Sequence, residues 1–490
     1  MRRRSATAVA SALGVVASML LVGAASSVAH AASSPQSTVG LLAYNNTNLH
    51  ATDPAHYSVV IINADQYAEI PAIRAASPGV KILVYKNVAM AETYDVSNGV
   101  DNPFLPTGVG YAWAKAQHPG WFLKDTNGNM VEWADYPQRW WLDMGDASYQ
   151  NTWAANVIAE VKNYGLDGVM MDDVDMHTGG HLASGTTLAK YPTDAAYARA
   201  NESFLANVGP QLHAAGVLGV ANIAFRWNPN WEAPYKQWLT EVDGVLMEFW
   251  MKPGQDSTFA RFGDNDWTYQ MQQAADVLAA GKMFLPLTYG AMSDATTQAY
   301  ARASFLLAWD GGRSSDVWVP STNGQDPWSP EVSAAVGAPT GSSHQLASGV
   351  WQRSFTGGVV LVNSSQSATR TVSLGGSFVT AAGRTVTSLS MAPMTGAVLS
   401  NTSVPTPDPT ATTPTPDPTA TTPAAPAPTV LTPRHHARHR AQGLSIHRWS
   451  QLRHWRAWIR HHPRRHAHHA RAHRHGPAIG WHAPHLTVGF

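Results

Sequence analysis

The chain has 490 residues, no cysteine and 13% charged side chains, against roughly 25% in an average globular protein. Its formal net charge of zero conceals an uneven distribution: residues 431–490 carry 11 Arg and 14 His with no carboxylate, leaving residues 1–430 with 22 basic and 33 acidic side chains. A disulfide framework, a thiolate-held metal and a cysteine nucleophile are excluded, while the length suffices for a large core plus an accessory module.

Residues 1–31 run from Arg2-Arg3-Arg4 through an Ala-, Val- and Leu-rich stretch to Ala29-His30-Ala31. A charged start, a short apolar region and a small-x-small site predict a secretory signal peptide, and so a protein that is secreted, extracellular or cell-wall associated. A membrane anchor is the alternative, disfavoured by those flanks; no later stretch has the roughly 18 uninterrupted apolar residues of a span.

From residue 39 to about 330, short apolar runs alternate with helical patterns. The runs are Val39–Asn45, Tyr57–Asn63, Val80–Asn87, Leu166–Asp173, Leu218–Phe225, Val242–Phe249, Lys282–Tyr289 and Ser304–Trp309. Near-continuous apolar runs suit parallel strands buried on both faces. Between them, Trp153, Val157, Ile158, Val161 and Tyr164, and then Phe204, Leu205, Val208 and Leu212, recur at helical spacing. The number and size of these units predict a (β/α)8 TIM barrel over 39–330. A doubly wound sheet is the alternative, but no Gly-rich phosphate loop follows the first run.

Residues 345–400 change period: short strand-like runs separated by Gly, Ser and Asn predict an antiparallel β-sandwich, serving either as a packing lid or for sugar binding. Residues 402–430 form a Pro/Thr-rich linker in which TPDPTATTP at Thr406–Pro414 repeats unchanged at Thr415–Pro423, a composition that makes an extended spacer. The His/Arg-rich tail over 431–490 has the composition of a disordered, solvated extension. It carries the charge to hold an anionic cell-wall polymer, more so as its imidazoles protonate below about pH 6.5. With a secretory address, no nucleic-acid partner is expected.

In such a barrel the working residues stand at the C-terminal ends of the strands. Two ends match: Asp167-Gly168-Val169-Met170-Met171-Asp172 and Asp243-Gly244-Val245-Leu246-Met247-Glu248 each place an acid five positions after an Asp-Gly. Strand alternation puts Gly168, Met170 and Asp172 on one face, and likewise Gly244, Leu246 and Glu248, so both acids are expected in the barrel mouth, with Asp173 pointing the other way. Two acids facing one pocket push their pKa values apart, as general acid chemistry on a glycosidic bond requires. Ion pairing with nearby Lys or Arg, or helix capping, is the alternative use.

The segments Trp121–Asp125, Trp141–Gly145 and Tyr164–Asp173 resemble glycosyl hydrolase-like family fifteen, a group similar to the α-galactosidase, α-amylase and endo-polygalactosaminidase barrels. The resemblance spans about residues 39–400. It implies a glycoside hydrolase acting on a poly- or oligosaccharide without a cofactor, with the strand-four acid Asp172 as nucleophile and the strand-six acid Glu248 as acid/base.

Further cleft candidates are Tyr44, Lys86, Asn87, Asn222, Trp250 and Tyr289 at strand ends, with Asp173 and, from the insertion after the third run, Asp143. Flat rings and hydrogen-bonding side chains are what sugars need. Asp146 is expected to cap the following helix, and Asp125–Asn129, with its Asn-Gly, to form a turn rather than a calcium loop. Two rivals stand beside the glycosidase: a metal-dependent hydrolase using Asp172, Asp173, Asp175, His177 and His181, and a non-catalytic glycan- or cell-wall-binding barrel.

Overall fold

The apolar runs become strands because both of their faces find cover. A computed structural model of the chain describes residues 38–43, 49, 52–134, 136–178, 181–223 and 232–402. The predicted signal peptide, Tyr44, nearly all of the linker and the basic tail lie outside the described residues. Eight parallel strands close a barrel: β1 (Val39–Leu42), β2 (Val59–Ile62), β3 (Lys81–Asn87), β4 (Gly168–Asp172), β5 (Leu218–Asn222), β6 (Gly244–Met247), β7 (Met283–Gly290) and β8 (Asp316–Pro320). Each pairs with its sequence neighbours, and β8 returns to β1. Inward residues such as Ile61, Leu83, Met170, Val220, Leu246 and Leu285 fill the interior, while their alternates pack against the surrounding helices.

The helices are α1 (Ile70–Ala76), α2 (Tyr111–Gln117), α3 (Ala147–Tyr164), α4 (Asp194–Ala215), α5 (Glu232–Trp238), α6 (Asp264–Ala279), α7 (Ala295–Ala308) and α8 (Pro330–Ser333). Asp146 caps α3 through the N–H groups of Ser148 and Tyr149, as its position predicts, and Gly165 ends that helix in the left-handed conformation. Tyr164, on the expected apolar stripe, is instead exposed and stacks on Tyr67.

The eighth apolar run was expected as a strand and is not one. Ser304–Trp309 belongs to the end of α7, and the eighth strand is the following Asp316–Pro320. The run is apolar throughout because α7 is covered twice, by the barrel strand β7 on one side and by the C-terminal sheet on the other. A short apolar run buried all round carries no period that separates helix from strand.

That antiparallel module comprises β9 (His344–Gln345), β10 (Trp351–Phe355), β11 (Gly358–Asn363), β12 (Arg370–Thr380), β13 (Thr385–Met391) and β14 (Thr395–Asn401), hydrogen-bonded in the order β9-β10-β11-β14-β12-β13. A register shift between Ser373 and Phe378 bends β12. The far strands return over the first ones: Arg370 donates to the Ser348 carbonyl and Asn363 to the Met391 carbonyl, enclosing Val350, Val359, Leu361, Val372, Met391 and Leu399. Residues 88–143 form an insertion between β3 and α3, in which Asp125–Asn129 is a tight turn closed by Asp125. No helix among the described residues is long and apolar enough to cross a membrane.

Candidate active site

The two Asp-Gly motifs do the same job at both ends of their strands. At the start, the Asp clamps a neighbouring strand: Asp167 accepts the Ile82 N–H at 2.9 Å, and Asp243 the Gly219 N–H at 2.9 Å. Gly168 and Gly244 follow where a Cβ would strike Leu218 O at 2.2 Å and Met283 Cβ at 2.8 Å, so only glycine admits the adjoining strand. Burial works against the charged form of Asp167, but the Ile82 N–H, Lys81 and Arg74 hold its carboxyl below the usual range.

At the other end the acids meet. Met170 and Leu246 point into the barrel, and Asp172 and Glu248 follow them two residues on. Asn222, ending β5 between the two strands, donates from its single Nδ2 to Asp172 Oδ1 at 2.8 Å and to Glu248 Oε2 at 3.0 Å. The remaining oxygens take one tyrosine hydroxyl each: Tyr85 donates to Asp172 Oδ2 at 2.7 Å and Tyr289 to Glu248 Oε1 at 2.7 Å. Burial, followed by the charge of Glu248, drives the Tyr289 hydroxyl far above its ordinary pKa, so it stays a neutral donor. The Asn222 carbonyl oxygen is buried with no partner among the described residues.

The residue after each acid is strained in the same way. Asp173 and Phe249 both have φ of 60°, a region that L-residues rarely adopt and that is a marked outlier for a bulky Phe. The Gln270 side chain from α6 holds the Phe249 carbonyl at 2.9 Å. Strain repeated behind two matched acids is what a site held in a set geometry displays.

The other sequence candidates divide. Asn222 and Tyr289 join the pair. Asn87 donates to Asp173 and supports it, while its own carbonyl accepts the Ala89 N–H. Asp173 is raised well above the usual carboxylate range, by burial first and then by the charges of Asp172 and Asp175. Three expectations of direct cleft contact need correction. Lys86 points out of the barrel wall, where its ammonium donates to the Leu105 carbonyl and pairs with Glu160 at 2.8 Å. Trp250 is wholly buried against Phe284, its indole N–H on the Ala301 carbonyl. Asp143 is turned to the segment between β4 and α4, held by Lys190 and Tyr191 and by the Gly145 N–H. Tyr44 lies outside the described residues. Tyr85 was missed, although alternation from Leu83 marks it as inward-facing and Lys86 as outward-facing.

Of the metal rival's five residues, three converge: carboxylate and imidazole atoms of Asp173, Asp175 and His181 lie within 4.8 Å of one another. Asp172 does not belong to that set, since both of its oxygens face Tyr85 and Asn222.

The (β/α)8 barrel is the architecture that the sequence resemblance implies, and comparison supplies the family. The chain belongs to hypothetical glycosyl hydrolase family 15, whose model matches residues 74–359, and as such it is a glycoside hydrolase with a carbohydrate substrate. Among solved structures it is similar to the glycoside hydrolase domain of PelA from Pseudomonas aeruginosa, with 16% identity over 59% of this chain and 96% of that one and a TM-score of 0.36. It is also similar to Ega3 from Aspergillus fumigatus, solved with galactosamine (13%, 60%, 94% and 0.33), and to an α-amylase from Geobacillus thermoleovorans, solved with acarbose (10%, 72%, 90% and 0.41). No curated protein matches.

Proposed function

We propose that the chain hydrolyses O-glycosidic bonds of an extracellular poly- or oligosaccharide with Asp172 and Glu248 as its acid pair, and with retention of configuration. The single observation that carries this is the shared Asn222 amide nitrogen. The nearest oxygens of the two acids can be no further apart than its two bonds of 2.8 and 3.0 Å laid end to end. Inverting enzymes set their carboxyl groups about 6.5–9.5 Å apart to seat a water between them and retaining ones about 5–5.5 Å apart, and one donor shared by the two acids favours the shorter spacing.

Following the roles that the family resemblance implies, Asp172 attacks the anomeric carbon while Glu248 protonates the departing oxygen, forming a glycosyl ester as the glycosidic bond breaks. Water then attacks the anomeric carbon from the opposite side, Glu248 takes its proton, and the Asp172 carboxylate leaves. Tyr85 and Asn222 aim both lone-pair faces of Asp172, so the nucleophile meets the sugar already oriented.

Secretion through the segment over 1–31, and attachment to an anionic wall polymer through Arg434–Phe490, complete the proposal and rest on composition alone. A panel of bacterial, fungal and plant polysaccharides, read by product release and by proton NMR of the first anomer formed, tests the function. Turnover lost in Asp172→Asn and in Glu248→Gln, with the first product retaining its configuration, is expected. Unchanged turnover in either variant overturns the acid pair, and an inverted product overturns the mechanism. Activity surviving exhaustive chelation removes the metal-dependent reading. Binding without turnover of any polymer favours the non-catalytic one.

A further inference from the structure

A hollow lies on the flank of the barrel, away from the acid pair. It holds about 590 Å³ between α3 and residues 101–113, within the range of small-molecule sites, roughly 300–1,000 Å³. One wall is polar at helical spacing: Thr152, Asn156, Glu160 and Asn163 of α3 all line it. Asn156 spends one N–H on the Gly108 carbonyl, and its amide and that of Asn163 are otherwise exposed.

Aromatic rings complete the hollow. Trp113, from α2, is 43% exposed and Tyr164, from the end of α3, 42% exposed, and both line it. Tyr164 stacks on Tyr67 at 4.0 Å, and Tyr67 meets the 40% exposed Phe104 edge-on. Of the six large apolar side chains exposed among the described residues, two line the hollow and a third, Phe104, reaches its rim through Tyr67. No lysine or arginine lines the hollow. Its two acids are already engaged, Asp101 by the N–H groups of Ala112 and Trp113, and Glu160 by Lys86 and Tyr67.

Exposed rings beside exposed amides, with no cation lining the hollow, match one ligand chemistry: sugar rings offer C–H faces to stack and hydroxyls to bond, and an anionic chain would find no counter-charge. We propose that this hollow is a second glycan-binding site, which holds a neutral stretch of the polymer outside the cleft. It would use Trp113 and Tyr164 as stacking platforms and Asn156 and Asn163 as hydrogen-bonding groups. The choice of ligand rests on the glycosidase reading, but the site itself does not use Asp172 or Glu248. Two weak sites on one chain raise retention on a polymer without affecting a short substrate that reaches only one of them.

The test uses the full-length protein, made catalytically silent by Asp172→Asn with Glu248→Gln, and affinity electrophoresis through neutral, amino-sugar and uronic acid polysaccharides. The hollow should add to retardation by a neutral polymer, whereas retardation by the uronic one, which the basic tail can hold, should be the same in the parent and in variants of the hollow. Trp113→Ala and Tyr164→Ala should each weaken retardation about two- to tenfold, the worth of one aromatic contact. Asn163→Ala, at an exposed position unable to disturb the core, should weaken it without changing the melting temperature. Tyr269→Ala, an exposed ring elsewhere, should leave it unchanged. In otherwise active protein, Trp113→Ala should raise KM on polymer but not on a short oligosaccharide. No retardation of the parent by any neutral polymer, or retardation of the Trp113, Tyr164 and Asn163 variants equal to that of the parent, overturns the proposal. Catalytic failure is scored separately, since hydrolysis lost or kept in the acid variants does not enter the binding measurement.

Discussion

Tyr85 and Lys86 are consecutive on β3 and serve opposite sides of the barrel wall: the Tyr85 hydroxyl meets Asp172 inside, and the Lys86 ammonium meets Glu160 outside. The pleat alone produces this division, and it makes the two substitutions separable. Lys86 is 1% exposed; burial pushes its pKa down, with Glu160 opposing. Lys86→Met should therefore cost about 3 kcal/mol of stability by stranding Glu160, with kcat of the folded protein unchanged. Tyr85→Phe should leave the melting temperature within a few degrees and lower kcat by roughly 10²-fold. Thermal unfolding and steady-state assays on the same preparations check both, and a Lys86→Met enzyme that is stable but inactive would return Lys86 to the cleft.

Asn222 donates to both acids, so its loss should be felt by both. Asn222→Ala removes a donor from each carboxylate and should lower kcat by about 10²–10³-fold with an intact circular dichroism spectrum. Asn222→Asp keeps the shape but sets a third carboxylate between two others, and should lower kcat further and move the pH profile, because like charges raise one another's pKa. Equal kcat for Asn222→Ala and the parent would mean that the bridge does not position the pair.

The barrel and its acid pair were legible in the sequence because their signal is local: apolar runs, Asp-Gly spacing and the two-residue pleat are written within single strands. Alternation read from Leu83 and Met170 correctly orients Asp172, and applied strictly it would have selected Tyr85 over Lys86. Other features depend on what the chain brings alongside. Nothing near Asn222 marks it as the bridge until β5 is seated between β4 and β6, and Trp250 reads as a platform until Phe284 and Ala301 are found against it. Ser304–Trp309 misleads for the same reason, since its continuous apolarity comes from a sheet more than forty residues later in the chain.

The Asp95 carboxyl, in the insertion after β3, is pushed up to about 8 by burial and then by the charge and hydrogen bond of Glu92, with Arg139 opposing. The folded chain therefore holds this proton more tightly than the unfolded one, where Asp titrates near ~3.9. Its contribution to stability is complete below about pH 4 and is lost as pH rises through about 8. Asp95→Asn, which offers Glu92 a donor at every pH, should flatten the decline in melting temperature measured between about pH 4 and 8. Parallel profiles for parent and variant would show that this proton is not held.

Gly396, near the start of β14, lies where the C-terminal sheet touches α7 most closely: a Cβ there would meet Ala299 O at 2.6 Å and Ala303 Cβ at 2.7 Å. Both neighbours are helix backbone or a methyl group on it, so neither can swing aside. Gly396→Val should push the sheet from the helix and cost about 1–3 kcal/mol, the usual toll of overpacking. The same displacement uncovers the apolar side of α7, including the Ser304–Trp309 run, so the variant should also bind a hydrophobic dye before the main unfolding transition. Asp172 and Glu248 stand at strand ends rather than on this contact, and kcat below the onset of dye binding should match that of the parent. A variant as stable as the parent would show that the sheet rides loosely on α7, whereas loss of activity without loss of stability would show that it reaches the acid pair.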